Sequence, residues 1–227
     1  MSDNGFIFQE VYMNKSIAVL GMGRFGRYIA EQLSSYGADL LIADGDGETI
    51  NQLSSLASSA VIADLTDANA IKALGLADMD IVVVTMGSSL EASIMCVMVA
   101  KELGVPRVIA KAASERMGEI LKRVGADEII YPEKEVAFST ARKILSSNFL
   151  EYYNLDEDLC VVRMKPRAEW VGKTLSKLRL RNQYDVNVVS ILQDNAPPST
   201  SPDPNVPISE DATLLVVAKK KDLRHLS

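Results

Sequence analysis

The chain has 227 residues, a formal net charge of -6 and 48% hydrophobic residues. This length suggests one large or two small domains, and the negative charge argues against broad electrostatic binding to nucleic acid or to anionic lipid. No apolar run approaches the roughly 18 residues of a transmembrane helix, and residues 1–14 lack the pattern of a signal peptide. Two cysteines are too few for a disulfide framework, so we expect a protein of the cytoplasm.

A glycine-rich motif, Gly21-Met22-Gly23-Arg24-Phe25-Gly26, organises the first half of the chain. It follows a short apolar run and precedes a stretch with helical spacing of apolar residues, which is the setting that a G-x-G-x-x-G phosphate-binding turn requires. The first glycine allows the tight turn, the second lets a phosphate approach, and the third lets the helix pack closely on the strand. The N-terminus of the helix adds unpaired N–H groups and the positive end of its dipole. The alternative is a glycine-rich turn that binds nothing.

Strand-like and helix-like patterns alternate from Lys15 onward. Neighbouring parallel strands need crossover connections, so this alternation predicts an α/β fold, a doubly wound parallel sheet over residues 14–134. The predicted strands are Ser16–Leu20, Ala38–Ala43, Ala60–Ala63, Asp80–Thr85, Arg107–Lys111 and Glu128–Tyr131, and the helices that follow the glycine-rich turn's own helix are Thr49–Leu56, Asn69–Leu74, Leu90–Leu103 and Glu115–Val124.

The remainder of the chain has a different pattern. Residues 135–150 fall in a helical stretch that we interpret as a crossover or dimerisation element, and residues 151–227 are predicted to form a small α+β domain. The segment Gln193–Pro207 holds five of the eight prolines and is predicted to be an exposed irregular loop. The predicted elements of this domain are strands at Leu159–Met164, Val186–Leu192 and Thr213–Ala218, with a helix at Lys173–Leu178.

Candidate ligand residues follow the predicted strands, at the edge where doubly wound sheets bind nucleotides. Asp44, 21 residues after Gly23, is placed to accept hydrogen bonds from ribose hydroxyls and to repel a 2′-phosphate; a plain turn aspartate is the alternative. Arg24 and Lys111 could add cations for phosphate, or could be solvated surface charges. Two further candidate segments follow the third and fourth strands. One is Asp64-Leu65-Thr66, where Thr66 or Asp67 could instead simply cap the next helix, and the other is Thr85-Met86-Gly87, which alternatively forms an ordinary turn.

A catalytic set is missing from the sequence. The single histidine, His225, lies near the last residue, and no cluster of histidine and cysteine has metal-ligand spacing. We therefore expect a binding protein rather than an enzyme. The competing interpretation is a small NAD-dependent oxidoreductase, although a region of roughly 75 residues is short for a substrate domain.

The motifs together resemble the RCK regulatory subunits of Trk/Ktr-type potassium transporters. The resemblance is carried by Val19–Gly26, Asp44, Asp64–Asp67, Gly125-Ala126-Asp127 and Tyr131–Lys134, and in the second region by Val171–Leu175, Val186–Val189 and Leu214–Val217. It implies a Rossmann-like N-terminal domain followed by an RCK C-terminal domain. The chain departs from the family pattern at Glu210–Thr213 and at Ala218, which stand where glycines are common.

This resemblance also implies a function and a set of partners. By this resemblance, the first domain of the chain would bind ATP, ADP or NAD(H), and Glu133 would help to hold Mg²⁺ or Ca²⁺ beside the phosphates. The chain would form a homo-oligomer, with dimers as the unit and a ring of eight, on the cytoplasmic face of a separate membrane subunit that conducts potassium. The second domain could bind cyclic di-AMP. Apolar residues in Val136–Phe138 and in the helix Ala92–Ala100, among them Ile94, Val97, Met98 and Val99, are expected to supply subunit contacts.

Overall fold

The computed structural model describes residues 15–145, 148–193 and 196–226. The chain divides into two compact units, one ending at Glu133 and the other beginning at Lys134. Within the described residues, no helix is both long enough and apolar enough to span a lipid bilayer.

The first unit is built on a six-stranded sheet with the order β3-β2-β1-β4-β5-β6, and every pairing in it is parallel. This order reverses at β1 and β4, which is the doubly wound topology expected from the alternating patterns. Its strands are β1 Ser16–Leu20, β2 Asp39–Asp44, β3 Ser59–Ile62, β4 Ile81–Val84, β5 Arg107–Lys111 and β6 Glu128–Ile130; its helices are α1 Arg24–Ser35, α2 Gly47–Leu53, α3 Ala68–Lys72, α4 Leu90–Glu102 and α5 Glu115–Val124.

Helices cover both faces of this sheet, so its central strands are buried almost continuously. Four of the five residues of β1 and three of the four residues of β4 are buried. Two apolar clusters result. One is centred on Leu20, Ile71 and Leu121, and the other on Val19, Ile42 and Ile50. The packed sheet positions the loops that follow its strands along one edge. The predicted doubly wound parallel sheet is confirmed.

Two helices begin earlier than the periodicity predicted because aspartates cap them. Asp46 accepts a hydrogen bond from the Glu48 N–H and starts α2 at Gly47, and Asp67 accepts one from the Asn69 N–H and starts α3 at Ala68. A capping side chain satisfies a backbone donor that the helix itself cannot pair. Beyond α2, residues Ser54–Leu56 form a separate 3-10 turn.

The second unit contains a five-stranded antiparallel sheet with the order β10-β9-β11-β8-β7. One face packs against short helices and the buried Trp170. The helix α6, Pro132–Leu145, precedes this sheet. The other elements are β7 Phe149–Asn154, β8 Leu159–Met164, α7 Leu175–Leu178, α8 Leu180–Tyr184, β9 Asn187–Gln193, β10 Ala196–Ser199 and β11 Thr213–Lys219.

Three elements of the second unit differ from the sequence-based prediction. The segment Gln193–Pro207 is not wholly irregular, because Ala196–Ser199 pairs with β9 as the edge strand β10; prolines are tolerated there because an edge strand leaves some N–H positions unpaired. Strand β7 begins at Phe149, ahead of the expected domain start, and α8 was not predicted. The end of the predicted helix at Ser146 and Ser147 lies outside the described residues.

Candidate functional site

The turn between β1 and α1 needs glycine at Gly21 and Gly26 for steric reasons, whereas the space around Gly23 is empty. Gly21 has φ +96°, and a Cβ on it would lie 2.6 Å from the Met86 sulfur. A Cβ on Gly26 would collide with the Gly21 carbonyl oxygen and lie 2.8 Å from the Thr85 hydroxyl oxygen, whereas a Cβ on Gly23 would meet nothing within 4 Å. Gly23 is also the N-cap of α1 and provides no side-chain cap. The exposed centre of the turn is therefore free to approach an anion.

Asp44 ties the end of β2 to this turn. Its Oδ2 accepts a hydrogen bond of 2.5 Å from the Met22 N–H, and its Oδ1 accepts one of 2.9 Å from the Asp46 N–H. A carboxylate has about four acceptor positions, so Asp44 can hold the turn and still accept from the hydroxyls of a ribose. The structure thus brings the turn and the predicted ribose acid together, as the sequence spacing suggested.

Arg27 also supports the turn, and sequence reasoning missed it. Its Nε donates to the Met22 carbonyl oxygen at 3.4 Å, and its Nη2 donates to the Thr49 hydroxyl at 3.3 Å. The Thr49 hydroxyl in turn donates to Asp46 at 2.8 Å. That hydrogen bond, followed by the one from the Glu48 N–H, holds the pKa of Asp46 below its ordinary value. Arg27 lies one helical turn after Gly23, a spacing that could have indicated it.

An open hollow of about 540 Å³ lies beside the turn. It is wide enough for part of a mononucleotide and is bounded by polar and charged side chains on α1 and α2. Its lining residues are Met22, Gly23, Arg24, Arg27, Tyr28, Glu31 and Thr49.

At the end of β3, the Asp64 side chain shapes its own turn. Its Oδ1 accepts from the Thr66 hydroxyl at 2.7 Å and from the Thr66 N–H at 2.8 Å, and these bonds lower the pKa of Asp64. Leu65 is buried in the core. A ligand at this segment would have to use backbone groups, and the role assigned to Asp64, Leu65 and Thr66 stays a prediction.

Thr85, directly after β4, supports the glycine turn through a hydrogen bond to its backbone. It is buried, and its hydroxyl donates to the Gly21 carbonyl at 2.5 Å and lies 3.1 Å from the Leu20 carbonyl. The next residue, Met86, is half-buried, and its carbonyl accepts from the Ser93 hydroxyl at 2.7 Å. Thr85 therefore fixes the shape of the turn through its side chain, and its contact with a ligand stays a prediction.

Lys111 and Glu133 meet at the same edge of the sheet. Lys111 ends β5, Glu133 lies in the first turn of α6, and the ammonium is 2.6 Å from the Glu133 carboxylate. The ammonium also lies 5.4 Å from the centre of the Phe25 ring. The hydrogen bond from Lys111, with a smaller contribution from the charge of Arg24, holds the pKa of Glu133 below its ordinary value.

A single carboxylate does not make a cation site. Across the described residues, no three histidine, cysteine, aspartate or glutamate side chains group as metal ligands. Mg²⁺ or Ca²⁺ at Glu133 would need phosphate oxygens or a neighbouring subunit to complete its oxygen ligands. The metal role of Glu133 stays a prediction.

Comparison with known proteins matches nearly the whole described chain to two domain families. Residues 17–132 match the TrkA-N domain, and residues 160–227 match the TrkA-C domain. This chain belongs to the TrkA/KtrA family. The TrkA-N match lies within the first unit and ends one residue before that unit does, and the TrkA-C match lies within the second unit.

Relatives within this TrkA/KtrA family include proteins of potassium uptake. The chain is 38% identical over 179 residues to the Ktr system potassium uptake protein C of Bacillus subtilis, covering 79% of this chain and 81% of the relative. It is 31% identical over 211 residues to the Ktr system potassium uptake protein A of the same organism, covering 93% and 95%. Among solved structures, the GsuK RCK domain is similar in fold, with a TM-score of 0.64 and 15% identity over all of this chain and 48% of that chain.

Proposed function

We propose that this TrkA/KtrA-family chain is the nucleotide-binding regulatory subunit of a potassium uptake system. The observation that carries the proposal is the link between the glycine turn and Asp44, because it joins a phosphate cradle to a ribose acceptor at the reversal point of the sheet. The names of the Ktr relatives support potassium uptake as the process.

Adenine nucleotide is the ligand that this edge fits. The N-terminus of α1 and the cations Arg24 and Lys111 suit a chain of phosphates, and Asp44 suits an unmodified ribose. ATP and ADP satisfy all of these groups, and NAD(H) satisfies the turn and Asp44 but offers no terminal phosphate to the cations. The nicotinamide end of NAD(H) would offer Lys111 no phosphate in place of Glu133.

Subunit contacts are proposed at α6 and α4. On α6, Val136 is 65% exposed and Phe138 is 56% exposed, which is unusual for apolar side chains on a helix. On α4, Leu90 and Met98 are exposed, whereas Val97 and Val99 are buried in the core because that face of the helix packs on the sheet. The expectation that Val97 and Val99 contribute subunit surface was wrong. We propose a homo-oligomer built from dimers, with the ring of eight as its expected size.

The chain would act on a separate membrane subunit, from the cytoplasmic side. ATP and ADP would favour different arrangements of the oligomer, since a ligand shifts an equilibrium only by its differential affinity for the two states. Potassium flux through the membrane subunit would follow the arrangement that ATP favours.

Binding is tested first by calorimetry of the purified chain with ATP, ADP and NADH. Asp44→Asn should weaken ATP binding about tenfold or more, because a charged acceptor of ribose hydroxyls is lost. The matched control is Asp39→Asn, at the opposite end of the same strand, where the carboxylate accepts only from the Ser16 hydroxyl among its described bonds. Equal affinity in the two variants would contradict the ribose assignment.

Function is tested in liposomes that hold the membrane subunit. Potassium flux should differ between ATP and ADP in the presence of this chain, and Asp44→Asn should remove the difference. Identical flux with ATP, with ADP and without nucleotide would contradict the regulatory function. Turnover of NADH by the purified chain would then favour the oxidoreductase alternative.

A second candidate function rests on a hollow of about 590 Å³ in the second unit. Arg179 and Arg181 line it together with Leu175 and Val188, so it offers cations and apolar surface to a ligand with phosphates and bases. Cyclic di-AMP has this chemistry. Calorimetry with cyclic di-AMP should show binding that Arg181→Gln weakens and Lys177→Gln, outside the lining, does not; no binding to the parent chain would contradict this role.

A further inference from the structure

Lys111, which the proposed function assigns to phosphate, forms an ion pair with Glu133. A cation that is to bind phosphate already has an anionic partner in the same chain, since its ammonium lies 2.6 Å from Glu133. The Lys111 side chain is only 13% exposed, while that of Glu133 is 70% exposed. The lysine side chain is therefore enclosed by its surroundings, whereas the glutamate side chain faces solvent.

Two neighbours fix the lysine beside the glycine turn. The ammonium lies 5.4 Å from the centre of the Phe25 ring, and Phe25 is part of the turn itself. On the other side, a Cβ on Gly87 would lie 3.1 Å from Lys111 Cε, so the glycine leaves room for the lysine stem. The ammonium is thus confined between the turn and the loop after β4, and it can exchange partners without leaving this place.

Bound phosphate would compete with Glu133 for this ammonium. A terminal phosphate carries more negative charge than one carboxylate and offers three acceptor oxygens, so it is the stronger partner for a lysine. Lys111 ends β5, which lies two strands from β1 in the sheet, so we expect it to meet a phosphate chain that extends beyond the turn. The number of phosphates is then the property that is sensed.

We propose that Lys111 is a phosphate-sensing residue that changes partner from Glu133 to the terminal phosphate of a bound nucleotide and so releases the first turn of α6. This proposal rests on the proposed function, because it requires a nucleotide at the glycine turn. It adds a route by which occupancy reaches α6, since Glu133 ties the first turn of that helix to the end of β5. On this proposal, the Glu133 carboxylate becomes available to a divalent cation only once nucleotide has bound.

Hydrogen–deuterium exchange of the full-length chain tests the proposal directly. The experiment is done with EDTA present, so that no divalent cation can hold the released carboxylate. Saturating ATP should speed exchange at residues 132–138 about fivefold, the factor expected for the loss of one partly exposed ion pair. AMP, which lacks the distal phosphates, should leave exchange there unchanged while it protects the glycine turn.

Variants of the pair give a second measurement. Lys111→Gln and Glu133→Gln should both show fast exchange at residues 132–138 without nucleotide, and ATP should add no further increase. Lys111→Arg keeps the cation and should behave as the parent chain does. The control is Glu128→Gln, which breaks the ion pair of Arg107 at the opposite end of β5 and should leave the ATP response intact.

Affinity separates the two members of the pair. Lys111→Gln should weaken ATP binding about tenfold and AMP binding little, because only the distal phosphates lose a partner. With EDTA present, as in the exchange experiment, Glu133→Gln should strengthen ATP binding about fivefold, because no ion pair has to be broken first.

Binding of ATP without faster exchange at residues 132–138 would overturn this proposal and leave the proposed function standing. An ATP response that persists in Lys111→Gln would overturn it as well. Absence of binding by ATP, ADP and AMP alike would overturn the proposed function, and this proposal with it.

Discussion

The sheets of the two units carry opposite burial patterns. In the first unit the strands are buried in runs, as in β1 and β4, whereas in the second unit buried and half-buried residues alternate along β8 and β11. A parallel sheet covered on both faces buries every side chain of its central strands, and a sheet covered on one face buries every second one. The first sheet is therefore covered on both faces and the second on one face only. The parallel or antiparallel direction of the strands also affects where each unit could hold a ligand.

Strand direction places the candidate sites. All carboxyl ends of a parallel sheet lie at one edge, so Asp44, Thr85 and Lys111 lie along the same edge although they are far apart in sequence. In the antiparallel sheet neighbouring strands end at opposite edges, and the hollow of the second unit is instead lined by α7, α8, β9 and the loop that follows β10. The candidate site of the first unit can therefore be located in the sequence from the ends of the predicted strands, whereas the hollow of the second unit cannot.

The largest effect is expected from Gly26→Ala, which would break the first unit alone. The new Cβ would collide with the Gly21 carbonyl and the Thr85 hydroxyl, which should cost about 3 kcal/mol or more. Circular dichroism in urea should show early loss of helix, while the fluorescence of the single tryptophan, Trp170 in the second unit, should report a later transition.

Gly23→Ala is the control for this substitution. A Cβ there would meet nothing within 4 Å, so unfolding should stay close to that of the parent chain while nucleotide binding weakens. Equal destabilisation by the two alanines would contradict the assigned roles of the glycines.

A smaller effect on the same unit is expected from Thr85→Val. It removes the hydroxyl that donates to the Gly21 carbonyl inside the protein, and a buried acceptor that loses its donor costs about 1–3 kcal/mol. Urea unfolding should show this loss, and calorimetry should show weaker ATP binding. Thr85→Ser keeps the hydroxyl and should retain most of the affinity; a loss in Thr85→Ser with none in Thr85→Val would show that the methyl group matters instead.

Asp127 gives the first unit a dependence on pH. Its carboxylate accepts from the Val108 N–H at 2.6 Å and from Lys101 at 3.0 Å, and these contacts lower its pKa from the ordinary 3.8. A pKa lowered by folding adds stability above 3.8 that is lost as the pH falls through the lower folded value.

Asp127→Asn should therefore cost about 0.5–1 kcal/mol at neutral pH, a modest figure because the carboxylate is partly exposed and screened by solvent. Urea unfolding at a series of pH values should show the two proteins converging at acid pH. A difference that is independent of pH would contradict the role given to the charge.

The smallest effect is expected in the second unit, at Arg179. This residue has φ +47°, in the left-handed region that favours glycine, so Arg179→Gly should stabilise the unit by about 0.5 kcal/mol after the extra flexibility of glycine is subtracted. Asn182→Gly, in the regular part of α8, should destabilise it by about the same amount. The Trp170 transition in urea should move in opposite directions in the two variants; a shift in the same direction would contradict the strain at Arg179.

The amino-acid pattern alone was sufficient to predict the doubly wound sheet and the position of the glycine turn. Strand-length apolar runs that alternate with helical patterns leave few topologies, and glycines in a fixed spacing have a local steric cause. It also determined that Asp44 and Lys111 end strands of that sheet. The caps at Asp46 and Asp67, which moved two helix starts, are local. The cap at Asp67 was one of the alternatives drawn from the sequence, and the cap at Asp46 could have been predicted in the same way.

The partner of each side chain, by contrast, depends on how the folded elements pack and could not be predicted from the pattern. The pair of Lys111 with Glu133, the bond from Thr85 to the Gly21 carbonyl and the pairing of β10 with β9 all join residues whose spacing carries no periodic signal. Such contacts depend on how packed elements meet, and a hydrogen bond or ion pair forms only where that packing brings donor and acceptor within about 3 Å. Composition and periodicity therefore predict the helices and strands of this protein, whereas its hydrogen bonds and ion pairs depend on the distances between those elements.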